Sequence, residues 1–169
     1  MPPYGPGHPP RLPGWDYANP GAYFVTVTVA GRTPTFRVGG MSGALTSAGR
    51  IVEERWCAIP ERFASVRPDV FVAMPDHVHG ILWLGSEEER AQGALMNQGP
   101  TVTRPFPAMA DPRVTLGKVV RAWKAECTRA IRRAVPAFRW QSRYYETVIR
   151  TDRALREMRR YVRDNPLGG

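Results

Sequence analysis

The stretch Asp69-Val70-Phe71-Val72-Ala73-Met74-Pro75-Asp76-His77-Val78-His79-Gly80-Ile81-Leu82-Trp83-Leu84 sets the frame for the fold. Two apolar runs, rich in β-branched and aromatic residues, flank a Pro-Asp pair. The pattern predicts strands over 69–74 and 77–84 with a tight connection between them. Side chains alternate along a strand, so His77 and His79 project from one face while Val78 and Gly80 face the other. Two neutral imidazoles so placed can share a divalent metal ion if a third ligand comes from elsewhere in the fold. The plainer alternatives are a half-exposed surface pair or a satisfied core pair. The third histidine, His8, lies in a Pro/Gly-rich tail, so the histidines are concentrated rather than scattered, which favours the metal.

Outward from this pair, Ala22-Tyr23-Phe24-Val25-Thr26-Val27-Thr28-Val29 predicts a strong strand. Residues 31–45 are Gly-rich and predict a turn or short hairpin. From Thr46 an apolar stripe of Ile51, Val52, Trp56 and Ile59 predicts a helix that Pro60 ends. Residues 85–112 break the periodicity with Glu87-Glu88-Glu89 followed by Gly, Pro, Asn and Gln, and read as a long mobile loop. Residues 115–134 give the clearest helix, with Leu116, Val119, Val120, Trp123, Cys127, Ala130, Ile131 and Ala134 at helical spacing. Residues 138–149 read as a last strand or extended segment. A final helix opens at Thr151-Asp152, runs through Leu155, Met158, Tyr161 and Val162, and stops at Asn165-Pro166. The order predicts an α+β, ferredoxin-like βαββαβ antiparallel sheet with an added C-terminal helix. Residues 1–20, with seven prolines, read as a flexible arm, and 21–169 as a single domain.

At 169 residues the chain is long enough to bury a core without disulfides. Its 24 Lys+Arg against 15 Asp+Glu give a formal charge of +9, which calls for a polyanionic partner. Nucleic acid fits better than membrane, because no apolar run approaches the roughly 20 residues that span a bilayer. The Pro/Gly-rich start has no apolar segment of the kind a signal peptide needs, so a cytoplasmic location is expected. Cys57 and Cys127 sit among apolar neighbours and read as two buried small hydrophobes of a reducing compartment. The helix at 115–134 sets six basic residues, including Lys118, Arg121 and Lys124, against one acidic residue, Glu126. A solvated face is the usual meaning of such charges, yet the imbalance argues for phosphate contacts.

Tyr161 and Asn165, spaced i and i+4, share a face of the final helix. An amide oxygen can complete a metal site begun by two imidazoles, and a phenol can act as a nucleophile on phosphorus. On spacing alone, Tyr161 as a core residue and Asn165 as an ordinary helix stop are the favoured readings.

The run Met74-Pro75-Asp76-His77-Val78-His79-Gly80-Ile81 resembles the HUH motif of the single-tyrosine transposases. Three further stretches resemble the REP-associated tyrosine transposases: Leu12 to Thr26, Trp140 to Arg150, and Arg160 to Pro166. The likeness spans most of the chain outside 85–112. It implies that His77 and His79 bind a divalent metal, Mg2+ or Mn2+, with Asn165 as third ligand. The related insertion-sequence enzymes commonly carry Gln at that place. It implies that Tyr161 attacks the scissile phosphate and becomes joined to the DNA 5′ phosphate. Tyr144 and Tyr145 are rivals without an oxygen partner at i+4. Lys118, Arg121, Lys124, Arg143 and Arg150 are the expected DNA contacts. The function implied is a metal-dependent single-stranded DNA endonuclease and strand transferase that recognises a hairpin and needs no nucleotide cofactor. The resemblance favours a monomer over a dimer. A catalytically silent hairpin-binding module is the alternative. A rolling-circle replication initiator would need an attached helicase or origin-binding domain.

Overall fold

The computed structural model describes residues 14–40, 42–85 and 114–165. The expected loop at 85–112 therefore falls outside the described residues, except for Gly85, as do residues 1–13 of the expected arm. Four strands, β1 (Gly21–Thr28), β2 (Val66–Ala73), β3 (His77–Leu84) and β4 (Tyr145–Ile149), form one sheet in the order β2-β3-β1-β4. Every neighbouring pair is antiparallel. The helices among the described residues are α1 (Ser47–Cys57), the single turn α2 (Ile59–Arg62), α3 (Leu116–Ile131) and α4 (Asp152–Asp164), besides a 3-10 turn at Ala30–Arg32. This is the ferredoxin-like α+β arrangement with one helix added at the C-terminus.

The strand alternation divides the molecule into two layers of packing. Tyr23, Val25 and Val27 of β1, with Val78 and Leu82 of β3, face α1 and α3, where Trp56, Trp123, Val52, Val119 and Cys127 complete the main core. Gly80 lies under the Trp56 indole: a Cβ there would stand 2.4 Å from Cζ2. Ala22, Phe24, Ile81 and Ile149 face the other way and receive Leu155 and Met158 of α4. Val162 of α4 extends this contact to Val72 and Met74.

The three long helices each start on a threonine. Thr46, Thr115 and Thr151 accept hydrogen bonds from the backbone N–H of Gly49, Lys118 and Ala154, satisfying one of the otherwise unpaired donors of each first turn.

Several boundaries differ from the sequence expectation. β2 begins three residues early, at Val66, and takes in Pro68 beside a register shift between Pro68 and Phe71. Proline is tolerated there because β2 is an edge strand and a bulge releases its ladder position. Only 145–149 of the expected 138–149 strand pair as a strand, while Trp140 makes one isolated bridge to Val29. Helix α3 ends at Ile131 rather than at 134. Cys57 is exposed, not buried, whereas Cys127 is buried. At 100° per residue, Cys57 falls about 140° from Val52, off the buried stripe of α1. Residues 14–20 pack on the domain: Trp15 donates its indole N–H to the Tyr23 hydroxyl at 3.2 Å, and Tyr17 lies against the same core.

Candidate active site

The Pro75-Asp76 turn joining β2 to β3 is held from several sides. Met74 N–H donates to His77 O at 2.8 Å across it. Val29 N–H donates to Asp76 O, and Thr35 and Phe36 N–H both donate to Pro75 O. The start of β3 is thereby placed, and with it the histidines. His77 and His79 share the α4 side of the sheet, as their spacing predicts, and β3 pairs them opposite Thr28 and Thr26. Their Nε2 atoms converge to 3.1 Å.

The outer nitrogen of each ring has a partner. His77 Nδ1–H donates to Asp76 Oδ1 at 2.6 Å, which selects the tautomer whose lone pair is on Nε2. Asp76 in turn receives Arg32 Nε at 3.0 Å. Arg32 sits at φ 54, a left-handed conformation uncommon outside glycine, directly after Gly31 at φ 70. His79 Nδ1 lies 2.8 Å from Thr26 Oγ1. The threonine hydroxyl can donate or accept, so it serves either tautomer of His79. Burial, with His77 beside it, pushes the His79 imidazole down to about 3, so the ring is neutral at pH 7.

Tyr161 completes the cluster. Its hydroxyl stands 3.5 Å from His79 Nε2, and its ring meets those of His79 and Phe24 at 5.4 and 6.1 Å. Phe24 also stacks on His79 at 5.4 Å. Asn165 lies one turn beyond Tyr161, at the C-terminal end of α4, where its backbone N–H donates to Tyr161 O. Of the two rival tyrosines, Tyr144 packs with the main core on the far side of the sheet. Tyr145 pairs with Thr26 and shares the histidine face, but two strands from β3, about 10 Å between backbones.

The arrangement suits a divalent cation. Two nitrogens bound cis to one ion at about 2.1 Å stand roughly 3.0–3.4 Å apart, which the observed 3.1 Å matches. Each ring has a hydrogen-bonding group on the nitrogen turned away from the ion, as metal-binding histidines require. No group of three or more His, Cys, Asp and Glu side chains able to hold a metal occurs among the described residues. Further ligands would be neutral oxygens such as those of Asn165, or a bound phosphate.

The expected DNA contacts are dispersed. Lys118 and Arg121 are exposed on α3, across the sheet from Tyr161. Lys124 is turned inward, its ammonium donating to Gln141 O at 2.6 Å and Ser142 O at 3.5 Å; burial lowers its pKa. It ties α3 to the 140s segment. Arg143 is exposed just before the edge strand β4, at the histidine end of the sheet. Arg150 follows Ile149, which pairs with Ala22 four rows from Thr26, about 13 Å along the strands. Between α1–α2 and α3, Arg55, Arg62, Arg129 and Arg133 line a cleft of about 410 Å³, with Glu126 engaged by Arg62 at 3.1 Å. Sequence reasoning missed Thr26, Arg32 and the role of Asp76 as an orienting carboxylate. An acidic residue directly before the first histidine was the one legible signal.

Comparison with known proteins places the fold. A solved REP-associated tyrosine transposase bound to a REP hairpin matches with a TM-score of 0.58 and 18% identity, over 93% of this chain and 72% of that one. A candidate transposase of Deinococcus radiodurans matches with a TM-score of 0.50 and 14% identity, over 92% of this chain and 96% of that one. The fold is thus that of the REP-associated tyrosine transposases. No family profile matches the chain. An uncharacterized protein of Haemophilus influenzae is 31% identical over 159 residues, 93% of this chain and 86% of its own length, and the chain belongs to one family with it. No helix among the described residues is long and apolar enough to cross a membrane.

Proposed function

We propose that the protein is a metal-dependent single-stranded DNA endonuclease and strand transferase that acts beside a DNA hairpin. The observation that carries this reading is the convergence of His77 Nε2, His79 Nε2 and the Tyr161 hydroxyl on one face of one sheet. His77 and His79, with Asn165, would hold Mg2+ or Mn2+; the ion would polarise the scissile phosphate and offset its charge. Tyr161 Oη attacks phosphorus, the bond to the 3′ oxygen breaks, and the phenolic proton ends on that oxygen. The products are a 5′-phosphotyrosine and a free 3′ hydroxyl. Attack by another 3′ hydroxyl reverses the balance and restores the phenol, so strand transfer needs no nucleotide cofactor.

Asp76 and Thr26 orient the two imidazoles, and the Phe24 ring keeps His79 and Tyr161 in contact with each other. Lys118, Arg121 and the four arginines of the helical cleft supply phosphate contacts on the opposite face. Arg143, at the edge, lies between the two faces, while Arg150 contacts DNA nearer the start of α4. The hairpin preference is supported by the ligand of the REP-associated neighbour. His77, His79 and Tyr161 come from one chain, which supports a monomer.

The test is a hairpin oligonucleotide with single-stranded flanks, incubated with Mg2+ or Mn2+ and resolved under denaturing conditions. A covalent band that disappears with chelator supports the proposal. Hairpin binding without an adduct in any metal would instead make the protein a silent binding module.

A further inference from the structure

We infer that Asp69, Trp83 and Arg159 form a roll lock on α4 that sets how closely Tyr161 approaches the histidine pair. The inference rests on the reading of that pair as an active site. Asp69 sits within the bulge of edge strand β2, between Pro68 and Phe71, and lies 90 residues from Arg159 in the chain. Arg159 Nε donates to Asp69 Oδ1 at 3.2 Å and Oδ2 at 3.0 Å, and a terminal guanidinium nitrogen donates to Oδ2 at 2.5 Å. Trp83 of β3 donates its indole N–H to Oδ2 at 2.9 Å, and Val70 N–H donates to Oδ1 at 2.9 Å. The carboxylate is thus held by its own strand and its neighbour before the arginine fork arrives.

Helical geometry shows why this matters at Tyr161. At 100° per residue, Tyr161 stands about 200° from Arg159 around the α4 axis. The buried stripe of Leu155, Met158 and Val162 lies between them. Arg159 and Tyr161 therefore flank the seam on opposite sides, and rotation of α4 about its axis moves both. The seam itself is Leu, Met and Val against Ala22, Ile81, Ile149, Val72 and Met74. Apolar contact is non-directional and resists such rotation weakly. A two-point guanidinium–carboxylate contact is directional. With side chains at about 6 Å from the axis, a roll of about 10° displaces a group by about 1 Å. A displacement of that size can cost on the order of 10²-fold in a reaction that depends on in-line approach. The polar side-chain contacts of Asp69, Trp83 and Arg159 are with one another and not with the histidines, so they act as positioning residues.

The test uses the full chain and the variants Arg159→Lys, Arg159→Met and Asp69→Asn. Three quantities are measured on each: hairpin affinity, the single-turnover adduct rate at saturating DNA, and the NMR cross-peaks between the Tyr161 and His79 rings. Affinity within about twofold of wild type, an adduct rate lower by about 10²-fold and weakened cross-peaks are expected for Arg159→Met and Asp69→Asn. Arg159→Lys keeps the charge but not the fork and should fall between. A folded variant with wild-type cross-peaks and rate overturns the lock. An affinity that falls in step with the rate, or unfolding of all three variants, also overturns it, leaving the ion pair a role in stability alone. If wild type forms no adduct, the nuclease reading fails, while the cross-peaks still decide the lock.

Discussion

Tyr161→Phe removes one oxygen and nothing else, and the structure gives the size of each consequence. The hydroxyl's hydrogen-bonding partner among the described residues, His79 Nε2, is 3.5 Å away, beyond the usual 2.7–3.2 Å of a good hydrogen bond. Its removal should cost less than about 0.5 kcal/mol, under the roughly 1 kcal/mol of a well-formed bond. The ring contacts with His79 and Phe24 survive in phenylalanine. For a chain of this length, that corresponds to a change in Tm of about 2 °C or less. Adduct formation, by contrast, should vanish, since no other phenol among the described residues stands within reach of the histidine pair. Differential scanning calorimetry checks the first expectation. A denaturing gel with a labelled hairpin, followed by mass spectrometry of the DNA-linked peptide, checks the second. An adduct of undiminished yield in Tyr161→Phe would refute the reasoning. A DNA-linked peptide containing Tyr145, which shares the sheet face, would move the nucleophile to the edge strand.

Further outcomes follow from other parts of the structure. His77→Ala or His79→Ala should abolish cleavage in Mg2+ or Mn2+ while leaving most of the hairpin affinity, measured by filter binding, because phosphate contacts elsewhere supply it. His79 titrates at about 3 in the folded chain against 6.5 as its ordinary value. The unfolded chain therefore binds the proton first, and this contribution to stability is complete above pH 6.5 and lost as pH falls towards 3. Urea denaturation of the metal-free protein at pH 7 and pH 5 should show that decrease, and His79→Gln should flatten it. Gly80→Ala puts a Cβ 2.4 Å from the Trp56 ring and should destabilise by about 1–3 kcal/mol in the same assay, as overpacked cores do. Arg121→Glu with Lys118→Glu should flatten the dependence of hairpin affinity on salt, by roughly 0.7–0.9 in the log–log slope for each phosphate no longer neutralised. An unchanged slope would remove Lys118 and Arg121 from the path of the DNA.

Much of this protein is written in short-range periodicity. Alternation along 77–84 places His77 and His79 on one face of a strand whatever lies around it, because pleating is a property of the backbone. Thr46, Thr115 and Thr151 mark helix starts because a threonine oxygen can satisfy an N–H that the helix itself leaves open. The strand and helix order, read from those signals, carries the ferredoxin-like topology. Tertiary structure alone decided what stands opposite. Nothing near Tyr161 in the chain says that α4 covers the histidine face, or that Tyr145 looks the same way from two strands off. The basic helix α3 lies across the sheet from Tyr161, and Lys124 turns its charge onto the carbonyls of Gln141 and Ser142. Asp69 finds Arg159 only when β2 and α4 pack together. Local pattern determines which way a side chain leaves its own strand or helix. Its partner depends on how separate elements bury their apolar faces, and that free energy is shared over the whole chain.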